Sequence, residues 1–236
     1  MSGGIEQRLA AIRERMERAC GRAGRDPETV RLLAVSKTQG PEAVTAALAA
    51  GLADFGENRV QEARQKIPQC PAAAHWHLVG HLQTNKAREA VRLFERIHAV
   101  DSPRLLETLE RLCQDEGRAL PVFLEVNVSG ERSKFGISPA ELPGVLRAAG
   151  SLFRVRVEGL MTIPPIAEDP AEARPFFRAL RELRDRMQDE CGLPLPELSM
   201  GMSHDFEVAI EEGATWVRVG TSLFGPRGKA GEDGQD

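Results

Sequence analysis

The sequence predicts an α/β fold, a single (β/α)8 barrel of the TIM type with an extra N-terminal helix. Three observations carry this. Short apolar runs alternate with helical patterns eight times, at spacings of roughly twenty to thirty residues, which is the regime of βαβ units and a parallel sheet. The chain has 236 residues, close to the ~250 that a closed barrel of eight units takes. No Pro/Ser-rich linker or shift in composition divides it. A doubly wound open sheet is the other architecture that such alternation permits. Residues 1–227 are expected to form the barrel domain. The tail over 228–236 is Gly- and charge-rich, with too little apolar surface to fold.

The elements follow in order. Ile5 to Arg22 reads as an amphipathic helix, because Ile5, Leu9, Ile12, Met16 and Ala19 recur at helical steps with charges between them. Gly21 and Gly24 close it. The first strand runs from Val30 to Ser36. Pro41 opens a helix through Ala50, and Gly51 ends it. Ala53 to Asn58 is a strand that turns polar at its end, and a helix over Val60–Lys66 follows. Trp76–Gly80 is the third strand, Asn85–Phe94 a helix and Ile97–Asp101 the fourth strand. Ser102-Pro103 caps and starts a helix to Asp115. Val122–Val128 is the fifth strand, rich in β-formers. Ser138 and Glu141 form a capping box before the next helix. Val155–Met161 is the sixth strand. A long helix fills Asp169–Glu190, with Pro175 in its first turns. Leu198–Met200, a helix over Asp205–Glu212 and the strand Thr215–Val219 complete the pattern.

Composition excludes several function classes. Hydrophobic residues make up 42% of the chain and charged residues 28%, the balance of an ordinary globular protein. The formal net charge of -4 provides no field for nucleic acid or an anionic membrane. No apolar run approaches the length of a membrane span. Cys20, Cys70, Cys113 and Cys191 are far apart and show no metal-type spacing, so they are expected to be reduced in the cytoplasm. No heptad or exposed apolar strip compels association, and a monomer is expected. His75 and His77 lie two apart on a strand and His81 follows, but no carboxylate spacing completes a zinc set, so no metal is expected.

Chemistry concentrates at the strand ends, where barrels of this type carry their sites. The first strand, Arg31-Leu32-Leu33-Ala34-Val35-Ser36, delivers Lys37. As the first loop residue it would point to water. On a buried strand end it must be ion-paired or kept as an amine able to form a Schiff base. The second strand delivers Glu57 and Asn58, the third Gly80 and His81, the sixth Met161 and Thr162. After the seventh strand, Ser199-Met200-Gly201-Met202-Ser203-His204-Asp205 combines a flexible turn with a hydroxyl near a helix start. Val219-Gly220-Thr221-Ser222 repeats the pattern after the eighth. A phosphate site built by the seventh and eighth loops recurs in these barrels. Arg218 is a lone guanidinium in an apolar strand. It either faces outward to a helix carboxylate or inward as an always-charged donor beside the phosphate loops. An imine-forming lysine, a two-loop phosphate cradle and an arginine together point to pyridoxal 5′-phosphate (PLP) as cofactor.

Seven ordered segments resemble the pyridoxal phosphate homeostasis proteins. They are Leu33–Lys37, Phe55–Glu62, His77–Lys86, Ser133–Gly136, Glu158–Thr162, Leu198–Asp205 and Arg218–Gly225, with no departure from the family pattern. The resemblance implies a barrel like the amino-terminal domain of alanine racemases, with Lys37 as the lysine that forms the internal aldimine. It implies Asn58 near the ring hydroxyl, Ser203, Gly220 and Thr221 on the phosphate, and Arg218 at the pyridine nitrogen. Val35, His81, Met161 and Met202 are further expected pocket residues. The family implies a PLP carrier or buffer in the cell, with apo PLP-dependent enzymes as possible recipients. The sequence bears on catalysis too. The related racemases use a tyrosine from a second domain as their second base, and this chain contains no tyrosine. An arginine at the ring nitrogen opposes its protonation and weakens the electron sink. A binding protein is therefore expected; the alternative is a weak racemase or another PLP enzyme, with His81 or another pocket residue as second base. Glu57 and Asp101 are read as acids that support loops.

Overall fold

The computed structural model describes residues 4–131 and 133–225; the expected tail over 228–236 lies outside them. Eight parallel strands close on themselves in sequence order: β1 (Arg31–Val35), β2 (Asp54–Glu57), β3 (His75–Leu78), β4 (Arg96–Val100), β5 (Leu120–Glu125), β6 (Val155–Met161), β7 (Glu197–Met202) and β8 (Trp216–Val219). β1 pairs with both β2 and β8, so the expected barrel is closed and the open sheet is excluded.

Helices α2 (Pro41–Ala49), α3 (Val60–Lys66), α4 (Ala87–Leu93), α5 (Pro103–Asp115), α6 (Leu142–Ala149), α7 (Arg174–Cys191) and α8 (Phe206–Glu211) connect successive strands. After β8 comes a single turn, α9 (Thr221–Phe224). The remaining place in the ring, between α8 and α2, is filled by the N-terminal helix α1 (Ile5–Ala23). Its apolar stripe of Leu9, Ile12, Met16, Ala19 and Cys20 is buried, and Arg15 and Arg22 pair with Glu207 of α8. The additional N-terminal helix thus completes the outer layer.

Strands of a parallel sheet are covered on both faces, which explains their near-continuous apolar character. Outward side chains such as Phe55, Leu78, Ile97, Leu124, Leu198 and Val217 pack under the helices. Inward, Leu33, Val79, Ala99, Phe123, Met161 and Trp216 form a separate cluster inside the barrel.

Most boundaries differ from the sequence reading by one or two residues, and three differ by more, each for a local reason. β5 ends at Glu125, not Val128. Asn127 instead closes a turn, accepting from the Gly130 amide and the Ser129 hydroxyl and donating to the Glu131 carbonyl. The Ser138/Glu141 box forms, but regular helix starts only at Leu142, since Pro143 has no amide to continue the preceding turn. Likewise Asp169 caps a single 3-10 turn, and α7 begins at Arg174 beside Pro175.

Candidate functional site

Around β1 the chain is anchored on both sides of Lys37. Ser36 is fully buried, its hydroxyl donating to Glu57 Oε1 at 2.6 Å and its amide to the Gly56 carbonyl at 2.9 Å. On the other side, the Thr38 amide donates to Glu62 Oε1 at 2.6 Å. Lys37 is thereby held at the mouth of the barrel, half-buried. Beneath the loop, the buried ammonium of Lys66 of α3 makes three hydrogen bonds. It donates to the Ser36 carbonyl at 2.7 Å, Glu57 at 2.8 Å and Glu62 at 3.0 Å. Lys66 was illegible in Val-Gln-Glu-Ala-Arg-Gln-Lys, which has the polarity of a solvated helix face. The signal for it was Glu57, an acid on a strand buried on both faces.

One cavity of about 460 Å³ opens at the carboxyl ends of the strands. Val35, Lys37, Asn58, His81, Met202, Ser203, Arg218, Gly220 and Thr221, expected from the ends of five strands, all line it. Met161 does not. It lies fully buried in the inner cluster with Leu33 and Phe123.

The two small-residue loops meet in an unforeseen way. Ser203 was expected to face the start of its own helix. Its hydroxyl instead accepts from the amides of Gly220 and Ser222 on the next loop, at 3.2 and 3.4 Å. The chain can turn there because Gly201 takes a φ of +89°, and a Cβ at that position would stand 2.5 Å from that of Ala209. Gly220 is equally confined, since its Cβ would meet the Val35 carbonyl at 3.1 Å. The Ser203 hydroxyl thus ties the two loops together at one edge of the cavity, and its own hydrogen remains to donate to an anionic oxygen there.

Arg218 faces inward, 4% exposed. Nη1 donates to the Ser199 carbonyl and hydroxyl at 2.9 Å each, and Nη2 to the Thr162 carbonyl at 2.9 Å. Burial lowers the guanidinium to about 10, which leaves it charged at neutral pH.

Sequence reasoning missed Val79 and Ile163 among the wall residues and, more consequentially, Glu125, the last residue of β5. Its carboxyl is raised to about 7, chiefly by burial and further by the Asp101 charge, against the opposing pull of Arg218. It was hidden inside an apolar strand, Val-Phe-Leu-Glu-Val; its place at a strand end was the available signal. His81 sits at the rim. Its Nδ1 is 2.8 Å from Asp101 Oδ2, and its ring stacks on Phe135 at 3.9 Å. Asp101 thus supports the rim and Glu57 the Lys37 loop, the roles read for both. His204 caps the wall with Nε2 3.0 Å from the Glu168 carbonyl. Among the described residues no three His, Cys, Asp or Glu side chains group as metal ligands, and His75 lies with His77 at the opposite end of the barrel, beside Asp54.

Residues 7–228 match the family model of the alanine racemase N-terminal domain. A pyridoxal phosphate homeostasis protein of Aquifex aeolicus is 46% identical over 222 residues, covering 94% of this chain and 97% of that one. PipY of Synechococcus elongatus, solved without PLP, superposes with a TM-score of 0.85 at 42% identity, over 94% of this chain and 100% of that one. The same protein with PLP bound gives 0.82 at 41%, with the same coverage. The chain belongs to the alanine racemase N-terminal domain family and, within it, to the pyridoxal phosphate homeostasis proteins.

Proposed function

We propose that this protein binds PLP reversibly through the Lys37 amine and acts as an intracellular carrier or buffer of the cofactor. The observation that carries the reading is the convergence of Lys37, Arg218 and the Ser203–Gly220 pair on one cavity at the carboxyl mouth of the barrel. When bound, PLP supplies an aldehyde that reacts with a primary amine. Lys37 is the amine for that carbon. Ser203, Gly220 and Thr221 receive the phosphate, and Asn58 the ring hydroxyl. Arg218, charged and donor-only, faces the ring nitrogen and opposes its protonation. PipY, with PLP bound, and relatives named for PLP homeostasis support the assignment.

The surroundings of Lys37 support carriage rather than turnover. A racemase needs a base on each face, and the chain contains no tyrosine for the second. His81 is engaged with Asp101 and stacked on Phe135. Apo PLP-dependent enzymes are the recipients in this reading, and the protein acts as a cytoplasmic monomer. Four free cysteines accord with a reducing compartment, and no helix among the described residues is long and apolar enough to cross a membrane.

A second reading, a weak amino-acid racemase, rests on Glu125, whose carboxyl exchanges a proton near neutrality in the same cavity. Loaded protein incubated with α-deuterated amino acids separates the two. The carrier reading predicts retained deuterium together with transfer of PLP to an apo-enzyme. Rapid loss of deuterium, abolished by Glu125→Gln, establishes the racemase.

A further inference from the structure

The interior of the barrel is crossed by a chain of polar side chains. Arg218 Nη1 lies 2.9 Å from Ser199 Oγ, and Ser199 Oγ 2.8 Å from His98 Nδ1. His98 Nε2 lies 3.0 Å from His77 Nδ1, and His77 Nε2 3.3 Å from Asp54 Oδ1. Arg218 lines the upper cavity. Asp54 and His77 line a second opening of about 360 Å³ at the amino ends of the strands. The links come from β8, β7, β4, β3 and β2, so the chain joins five strands through the middle of the molecule.

The two ends dictate the direction of every bond. Arginine only donates, so Ser199 Oγ accepts from it and has one proton left to give. His98 Nδ1 is the acceptor in reach. His98 then carries its proton on Nε2 and donates to His77 Nδ1, and His77 donates from Nε2 to the Asp54 carboxylate. Reversing any link leaves a buried proton without an acceptor, a cost that burial makes large. Both rings are held neutral: burial depresses His77 against the opposing pull of Asp54, and it depresses His98 far more. The charges beside them act the same way on His98. At the amino-end opening Arg31 and Arg96 lie over the inward-facing Trp216, paired with Glu197 and Glu158.

We propose that Ser199, His98, His77 and Asp54 form a one-way hydrogen-bonded strut that positions Arg218, so that the far mouth of the barrel sets how firmly the upper cavity holds its ligand. These are positioning residues. Arg218 spends both Nη1 hydrogens on Ser199 and one Nη2 hydrogen on Thr162, leaving its remaining N–H groups for the cavity. The inference rests on the reading that PLP occupies that cavity.

The test uses full-length protein labelled with 15N-histidine, and PLP itself as the probe. Long-range 1H–15N spectra report which ring nitrogen carries the proton, and absorbance titration reports PLP affinity. The wild type is expected to hold His77 and His98 as neutral Nε2–H tautomers. Asp54→Ala removes the last acceptor; it should mix the His98 tautomers and weaken PLP roughly three- to tenfold, the loss of one buried hydrogen bond. Asp54→Asn, whose amide carbonyl still accepts, should restore both. His75→Ala removes the other histidine beside Asp54 (3.7 Å) and should change neither. In a Ser199→Ala background, which cuts the strut below Arg218, the Asp54→Ala penalty should vanish. An Nδ1 proton on either ring in the wild type overturns the proposal. So does an Asp54→Ala protein with unchanged tautomers and affinity, or a penalty that persists without Ser199. Wild-type protein that takes up no PLP refutes the cofactor reading instead, and the tautomers still decide whether the strut exists.

Discussion

Oε1 of Glu62 accepts from both the Thr38 amide, at 2.6 Å, and the Lys66 ammonium, at 3.0 Å. Thr38, with φ +65°, is the one non-glycine residue in the left-handed region among the described residues. A β-branched side chain is strained there, and the strain sits directly after Lys37. Thr38→Gly relieves it and should stabilise the fold by about 1 kcal/mol, measured by urea denaturation. Glu62→Ala removes the tether and should lower PLP affinity without displacing the barrel. Equal affinity in Glu62→Ala and wild type would show that the tether does not position Lys37.

Beneath this loop, Lys66 and Glu57 form a buried pair, 6% and 0% exposed. Glu57 Oε2 has no hydrogen-bond partner, so the carboxylate depends on Lys66 and Ser36. Lys66→Ala should cost roughly 3–5 kcal/mol, because it strands a buried charge. The double variant Lys66→Met/Glu57→Gln should cost less than Lys66→Ala alone. Denaturation midpoints of the two proteins decide the order.

Ser203 is expected to recognise the phosphate and not the ring. Ser203→Ala should weaken PLP at least tenfold, the scale of one hydrogen bond to a charged group. It should leave the affinity for unphosphorylated pyridoxal unchanged. Parallel absorbance titrations with the two compounds measure the difference.

Glu125 makes stability depend on pH. Its folded pKa of about 7 is above the ordinary value of 4.5, so the folded state binds that proton more tightly. Its stabilising contribution is complete below pH 4.5, declines as pH rises towards about 7, and is lost above. Glu125→Gln is neutral throughout and escapes the loss. The variant should therefore gain about 2–3 kcal/mol on wild type between pH 4.5 and 8, read from urea denaturation at the two pH values. A gap that does not change with pH contradicts the assignment.

The strands were legible because each is buried on both faces and so reads as an apolar run, and a polar residue at the end of such a run stands out. Lys37 and Arg218 were found that way, and Ser203 and Gly220 by the small-residue turns that follow β7 and β8. What stayed hidden depends on contacts between distant elements. Nothing in the sequence near Ser203 says that its hydroxyl faces Gly220 and Ser222 rather than its own helix. Met161 looked like a pocket residue because it ends β6, yet its side chain turns down into the inner cluster. His98 lies within the apolar run of β4, where nothing in the sequence names its partners. Its bond to His77, 21 residues away, and to Ser199, 101 residues away, exists only once the sheet closes. The N-terminal helix was read correctly as a helix, but its place in the ring was not, because that place is set by packing on α8.

The assignment of the cavity turns on whether Lys37 holds the cofactor. The most direct measurement is the absorption spectrum of the purified protein with added PLP, beside Lys37→Ala, before and after borohydride, with the reduced product mapped by mass spectrometry. If Lys37 holds PLP, the wild type shows a band near the visible edge, the variant lacks it, and borohydride fixes PLP on the peptide that contains Lys37. A protein that remains colourless with PLP, or a label fixed on another lysine with Lys37→Ala still coloured, would contradict it.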